Sequence, residues 1–158
     1  MTLRGSLPMS NSFEGDVLLF NTRDGGEIEF VNGQPIMTAG FDAAFFLSLF
    51  GGNVEDDGLA GNKKTWWANY NEPVPHKRYI SRFQNLARGL PLITGNLRRL
   101  EEAAKADLRG FIDEGIAAKV TAVATIPKIN FLQLVTGIIS PSGESSETRF
   151  LINWQSYL

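Results

Sequence analysis

His76 is the only histidine and there is no cysteine, so the side chains that most often hold zinc or relay protons reduce to one imidazole between Pro75 and Lys77. A zinc site there would need carboxylates or waters for every other ligand, and His76 reads as a surface or turn residue. A serine nucleophile needs a base and a sharp Gly-x-Ser-x-Gly turn, and that motif is absent. The run Glu55-Asp56-Asp57-Gly58 offers oxygens to calcium but lacks the alternating ligands and the closing bidentate glutamate of an EF-hand loop. Glu14, Glu55, Asp56, Glu72 and Asp113 could supply a glycosidase carboxylate pair, yet no spacing sets a raised-pKa acid beside an ionised partner. The expectation is a chain with no catalytic residue, no metal ligand and no cofactor.

With 158 residues, 43% of them hydrophobic and 20% charged, the chain is sized for one core. We read a loose polar arm over 1–13 and a single domain over 14–158. The N-terminus lacks the apolar core of a signal peptide, and no apolar run is long enough to span a bilayer. A net charge of −2 gives no global field for nucleic acid. Locally, Lys77, Arg78, Arg82, Arg88, Arg98 and Arg99 precede Glu101, Glu102, Asp107, Asp113 and Glu114. Two readings stand: a docking surface for an acidic partner, with Arg78 and Arg82 in it, or a solvated helix face with pairs such as Glu101 and Lys105.

The elements that position these residues form an α+β fold: an N-terminal β-hairpin, a short aromatic helix, and two helices packed on a C-terminal three-stranded antiparallel sheet. The runs 16–20 and 27–31 flank Asp24-Gly25-Gly26, whose glycines suit the positive φ of a turn, and Asn32-Gly33 is a second turn signal. Residues 41–50 form an aromatic helix ended by Gly51-Gly52. Phe41, Phe45 and Leu49 make one stripe and Phe46 and Phe50 another, which faces either the core or a partner. Trp66 and Trp67 point to opposite sides if their segment is extended, one inward and one toward a partner or a loop. A short helix is expected over 77–86 and a long one over 95–114, capped by Thr94 and stopped by Gly115. Strands follow at 120–125, 130–139 and 148–154, with a turn at 126–128. Phe150, Ile152 and Trp154 share a face. The middle strand is apolar on both faces, with Leu132, Leu134 and Ile138 opposite Phe131, Val135 and Ile139, so one face must meet something else.

Three segments carry a family resemblance. Gly40 to Asn53 with the acidic loop 55–58 and Trp66-Trp67-Ala68-Asn69, the helical region 86–112 ending in Glu114-Gly115-Ile116-Ala117, and the closing strand 149–154 together resemble the gene-46 protein family of phage Mu-type tails. These are relatives of the inner baseplate wedge subunit that starts the sheath in contractile phages. One departure is Leu86-Ala87-Arg88-Gly89-Leu90-Pro91, where wedge relatives often carry Phe-Glu-Pro. The resemblance covers roughly 15–155. It implies a virion protein assembled in the host cytoplasm, in six copies around the tail axis. The implied partners are other baseplate wedge subunits, the tail hub or tube and the first sheath ring, and neither nucleic acid nor membrane. The interface residues expected are Phe46, Phe50, Trp66, Trp67, Arg78, Arg82, Phe150, Ile152 and Trp154. The alternatives from other classes are a peptidoglycan-cleaving, lysozyme-like glycosidase and a nucleic-acid-binding module using the 77–99 stretch.

Overall fold

A computed structural model of the chain describes residues 16–17, 19–22, 25–38, 41–51, 68–74 and 77–154. Glu14, the 55–58 loop and His76, considered above for chemistry, and Trp66 and Trp67, expected at an interface, lie outside them.

Short antiparallel ribbons come first. β1 (Asp16–Val17) pairs with β6 (Met37–Thr38), and between them β2 (Leu19–Thr22) pairs with β3 (Gly25–Ile28) and β4 (Phe30–Val31) with β5 (Gln34–Pro35). The hairpin is thus present, but Gly25 and Gly26 are strand residues paired with Thr22 and Asn21, not its turn. Asn32 and Gly33, at φ 53° and 77°, form the second turn, the two-residue link whose twist matches that of its strands.

α1 (Asp42–Phe50) ends where the Gly51 amide donates to the Leu47 carbonyl. Gly51 is not left-handed, at φ −64°. Glycine fits there for another reason: a Cβ would run into the Leu47 carbonyl and lie 3.3 Å from Tyr79 Cβ. After α2 (Ala68–Asn71), the expected helix start at 77 is replaced by the end of a 3-10 turn, where the Lys77 amide donates to the Val74 carbonyl, and then by irregular chain. Asn69 Nδ2 donates to the Tyr79 carbonyl and Asn69 Oδ1 accepts from the Tyr79 amide, occupying both groups a helix would use. α3 (Arg82–Gly89) begins only beyond Ser81, which is fully buried at φ 47° and donates from Oγ to the Ser48 carbonyl.

The predicted 95–114 helix is interrupted. Thr94–Asn96 is a 3-10 turn with no side-chain cap from Thr94, α4 runs Leu97–Asp107, and α5 runs Gly110–Asp113. At the joint, Arg109 N donates three residues back to Ala106 and Phe111 N to Leu108. The tightening turns the apolar stripe from one core cluster to another. Leu100, Ala103 and Ala104 pack with Leu49, Phe83, Leu132, Leu134 and Ile152, whereas Leu108 and Phe111 pack with Phe45, Ala117 and Ile138. Gly115 does stop the helical region, at φ 75°.

The C-terminal sheet has the order β7-β8-β9, with β7 Lys119–Lys128, β8 Phe131–Ile139 and β9 Ser145–Asn153. β7 continues through the expected turn and shifts register between Thr125 and Lys128, so the reversal falls at Ile129 and Asn130, the latter at φ 62°. β9 starts three residues earlier than the sequence suggested, because Ser145 and Ser146 pair with Ile139 and Ile138. α4 packs along β7, and α1 reaches β9 through Asp42, which accepts from the Thr148 hydroxyl.

Candidate interaction surface

The expected interface residues divide into buried and accessible groups. Ile152 and Trp154 are 1% and 3% exposed, and Trp154 Nε1 donates to the Leu90 carbonyl, so both fasten the end of the sheet to the helices. Phe46 is 8% exposed with its ring 5.1 Å from Phe50. Phe50 is half-buried and meets Phe83 and Phe150 edge-on at 5.8 and 5.5 Å. Phe150 is half-buried too and packs against both core clusters.

Arg78 and Arg82 help to line a groove of about 430 Å³ between α1, the 77–82 segment and the α4–α5 joint. Its floor includes Phe41, Ala44 and Phe111, and Lys77, Arg109, Asp113 and Glu114 stand on its rim. The cations there are not a bare patch. Arg78 Nε donates to the Glu72 carbonyl, Arg82 lies 3.7 Å from Asp107, and Arg109 lies 3.6 Å from Asp113. Of the candidate acids, Glu72 accepts from the Val74 amide and Asp113 is on the surface. Among the described residues no cluster of three metal-ligating side chains occurs, and no helix is long and apolar enough to cross a membrane.

The sheet edges differ from one another, and hydrogen-bond parity shows how. The Ala124 amide donates to Glu101 Oε1 on α4, so it points away from β8. Ala124 is paired with Leu134, and Leu134 in turn with Phe150. Polar groups alternate sides along a strand. Leu134 therefore bonds toward β9, Phe150 bonds back toward β8, and Glu147, Arg149 and Leu151 aim their N–H and C=O groups at the free side. The Trp154 amide, bonded to the Asn130 carbonyl, has the same parity as Phe150 and agrees. Edges left bare invite further strands, and proteins that do not use one block it with bulges, proline or a covering element. β7 has all three: the register shift, Pro127, and α4 with its Glu101 carboxylate. Among the described residues, none of them lies along β9 from Ser145 to Leu151. Its register with β8 is continuous, and none of Ser145, Glu147, Arg149 and Leu151 bonds outside the sheet among the described residues.

The flanks of β9 are also unfinished. On the inward side Ser146, Thr148 and Phe150 are half-buried, whereas Leu132, Leu134, Thr136 and Ile138 of the adjoining β8 are buried. On the outward side Leu151 is 45% and Val123 55% exposed, with half-buried Phe131, Val135 and Ile139 between. The two apolar faces expected of the middle strand thus end as one covered face and one open one.

Asp107 and Glu101, which the sequence places on a charged helix surface, have other roles. Asp107 has a fully buried side chain that accepts from the Arg82 and Phe83 amides, both at 2.8 Å, capping α3 from another helix. No local spacing marks either role, since each depends on where a distant element docks. Compared with family models, curated proteins and solved structures, the chain matches none.

Proposed function

We propose that this chain is a non-catalytic structural subunit that docks a partner strand on the β9 edge. On the family resemblance, its setting is the inner wedge of a contractile-phage tail baseplate, where it anchors or initiates the sheath. The observation that supports the reading is the contrast between the protected β7 edge and the β9 edge over Ser145–Leu151, where no described residue outside the sheet bonds. Strand addition at that edge distributes affinity over many backbone bonds, and alternate side chains supply selectivity. Half-buried Phe50 and Phe150 form an apolar shelf beside the edge for inward-facing side chains of the donor. In the tail, such a joint would hold the first sheath ring to the baseplate while the rest of the sheath moves.

The test is Leu151→Pro. Proline at 151 removes an edge donor and leaves the bonds between β8 and β9 intact, because the Leu151 amide faces away from β8. Tubes with baseplates but no sheath are expected, and normal contractile sheaths on tails carrying the variant would overturn the reading.

A further inference from the structure

We infer that the free chain pairs with a second copy of itself through the β9 edge, antiparallel about a two-fold axis at Thr148. The inference goes beyond the donor-strand reading and stands only on the open edge and its charges. Glu147 and Arg149 are both exposed, both on the outward face, and neither has an ion-pair partner among the described residues. Both also lie in the set whose backbone groups face the free side. An antiparallel neighbour centred on Thr148 sets Glu147 against Arg149 of the second copy, and Arg149 against Glu147, in hydrogen-bonded pairs.

Other registers are worse on charge. Moving the axis one residue toward the N-terminus opposes Glu147 to Glu147, and one residue the other way opposes Arg149 to Arg149. A shift of two residues removes both ion pairs. The chosen register leaves Ser145 to Leu151 paired along its length and preserves the alternation of faces, so the helices of both copies lie on one side of a continuous sheet. Glu147 Cγ leans over Gly137 of β8, 3.0 Å from where a Cβ there would stand, so pairing turns that side chain outward from the sheet to meet Arg149 of the second copy.

Self-pairing would keep the edge occupied in the unassembled subunit, and a donor strand would have to displace the second copy. The symmetry of the charge pattern supplies the experiment. Glu147→Arg and Arg149→Glu are prepared singly and together, and association of the full chain is followed by sedimentation equilibrium over a concentration series. Each single variant sets like charges together twice and is expected to associate about ten-fold or more weakly than the unaltered chain. Mixing the two single variants restores opposite charges at both contacts, so a heterodimer of near-original affinity is expected, as is recovery in the double variant. Recovery on mixing also shows that each single variant is folded. An unaltered chain that stays monomeric up to millimolar concentration, single variants that dimerise normally, or a mixture that stays monomeric would each overturn the inference. A monomeric chain leaves the donor-strand reading to its own test in assembled tails.

Discussion

Asp107 and Phe46 show how differently single residues become visible. A carboxylate satisfying two amides of a neighbouring helix from a fully buried position is a strong contact, and Asp107→Ala is expected to destabilise the chain by about 2–3 kcal/mol in urea unfolding, with the slope unchanged. Nothing near Asp107 in sequence announces this, because the capped amides are 24 and 25 residues away. Phe46 stands out by its type and spacing alone, yet those do not choose between core and partner. In this chain its side chain is buried, at 8% exposure, with its ring against Phe50. Phe46→Ser should therefore lower stability by about 3–5 kcal/mol, read as a fall in melting temperature. An unchanged melting temperature would return Phe46 to the surface.

At the scale of elements, the helix 95–114 was legible as a helical region with one apolar stripe and a glycine stop. Its interruption was not, because residues on either side of the joint serve different core clusters and only the tertiary arrangement separates them. Gly110 sits at that joint with a negative φ and nothing within 4 Å of an added Cβ. Gly110→Ala is expected to raise stability by about 0.5–1 kcal/mol, chiefly by restricting the unfolded chain, and thermal unfolding would detect it. The three C-terminal strands were visible in their alternation, but strand ends were set by pairing: Ser145 and Ser146 have little strand preference and are held by β8. Proline separates the two sides of β9. Ile152→Pro removes an amide aimed at β8 from a residue 1% exposed and should cost about 3 kcal/mol or more, whereas Leu151→Pro should cost far less. Equal losses by denaturant titration would contradict the hydrogen-bond parity assigned to this strand.

For the whole molecule, the α+β class followed from order and periodicity, while the inequality of the two sheet edges did not. Pro127 on β7 is the one part of that inequality visible in the sequence; the carboxylate crossing from α4 to β7 and the register shift leave no local pattern. Phe150 touches both core clusters, so they are expected to unfold together; Phe150→Ala should lower the free energy of unfolding by about 2–4 kcal/mol while the transition stays single. The contact between Asp42 and Thr148 spans 106 residues and reaches across time as well as space. A ribosome adding about 5–20 residues per second makes α1 roughly 5–20 s before the strand that completes its packing. Through that interval the aromatic helix emerges without its cover, in the stretch most prone to be held by chaperones or to stick to other nascent chains. The rate of translation between residues 50 and 148 thus becomes part of how this fold is reached, and replacing those codons with rarer ones should lower soluble yield while leaving the melting temperature of the recovered protein the same.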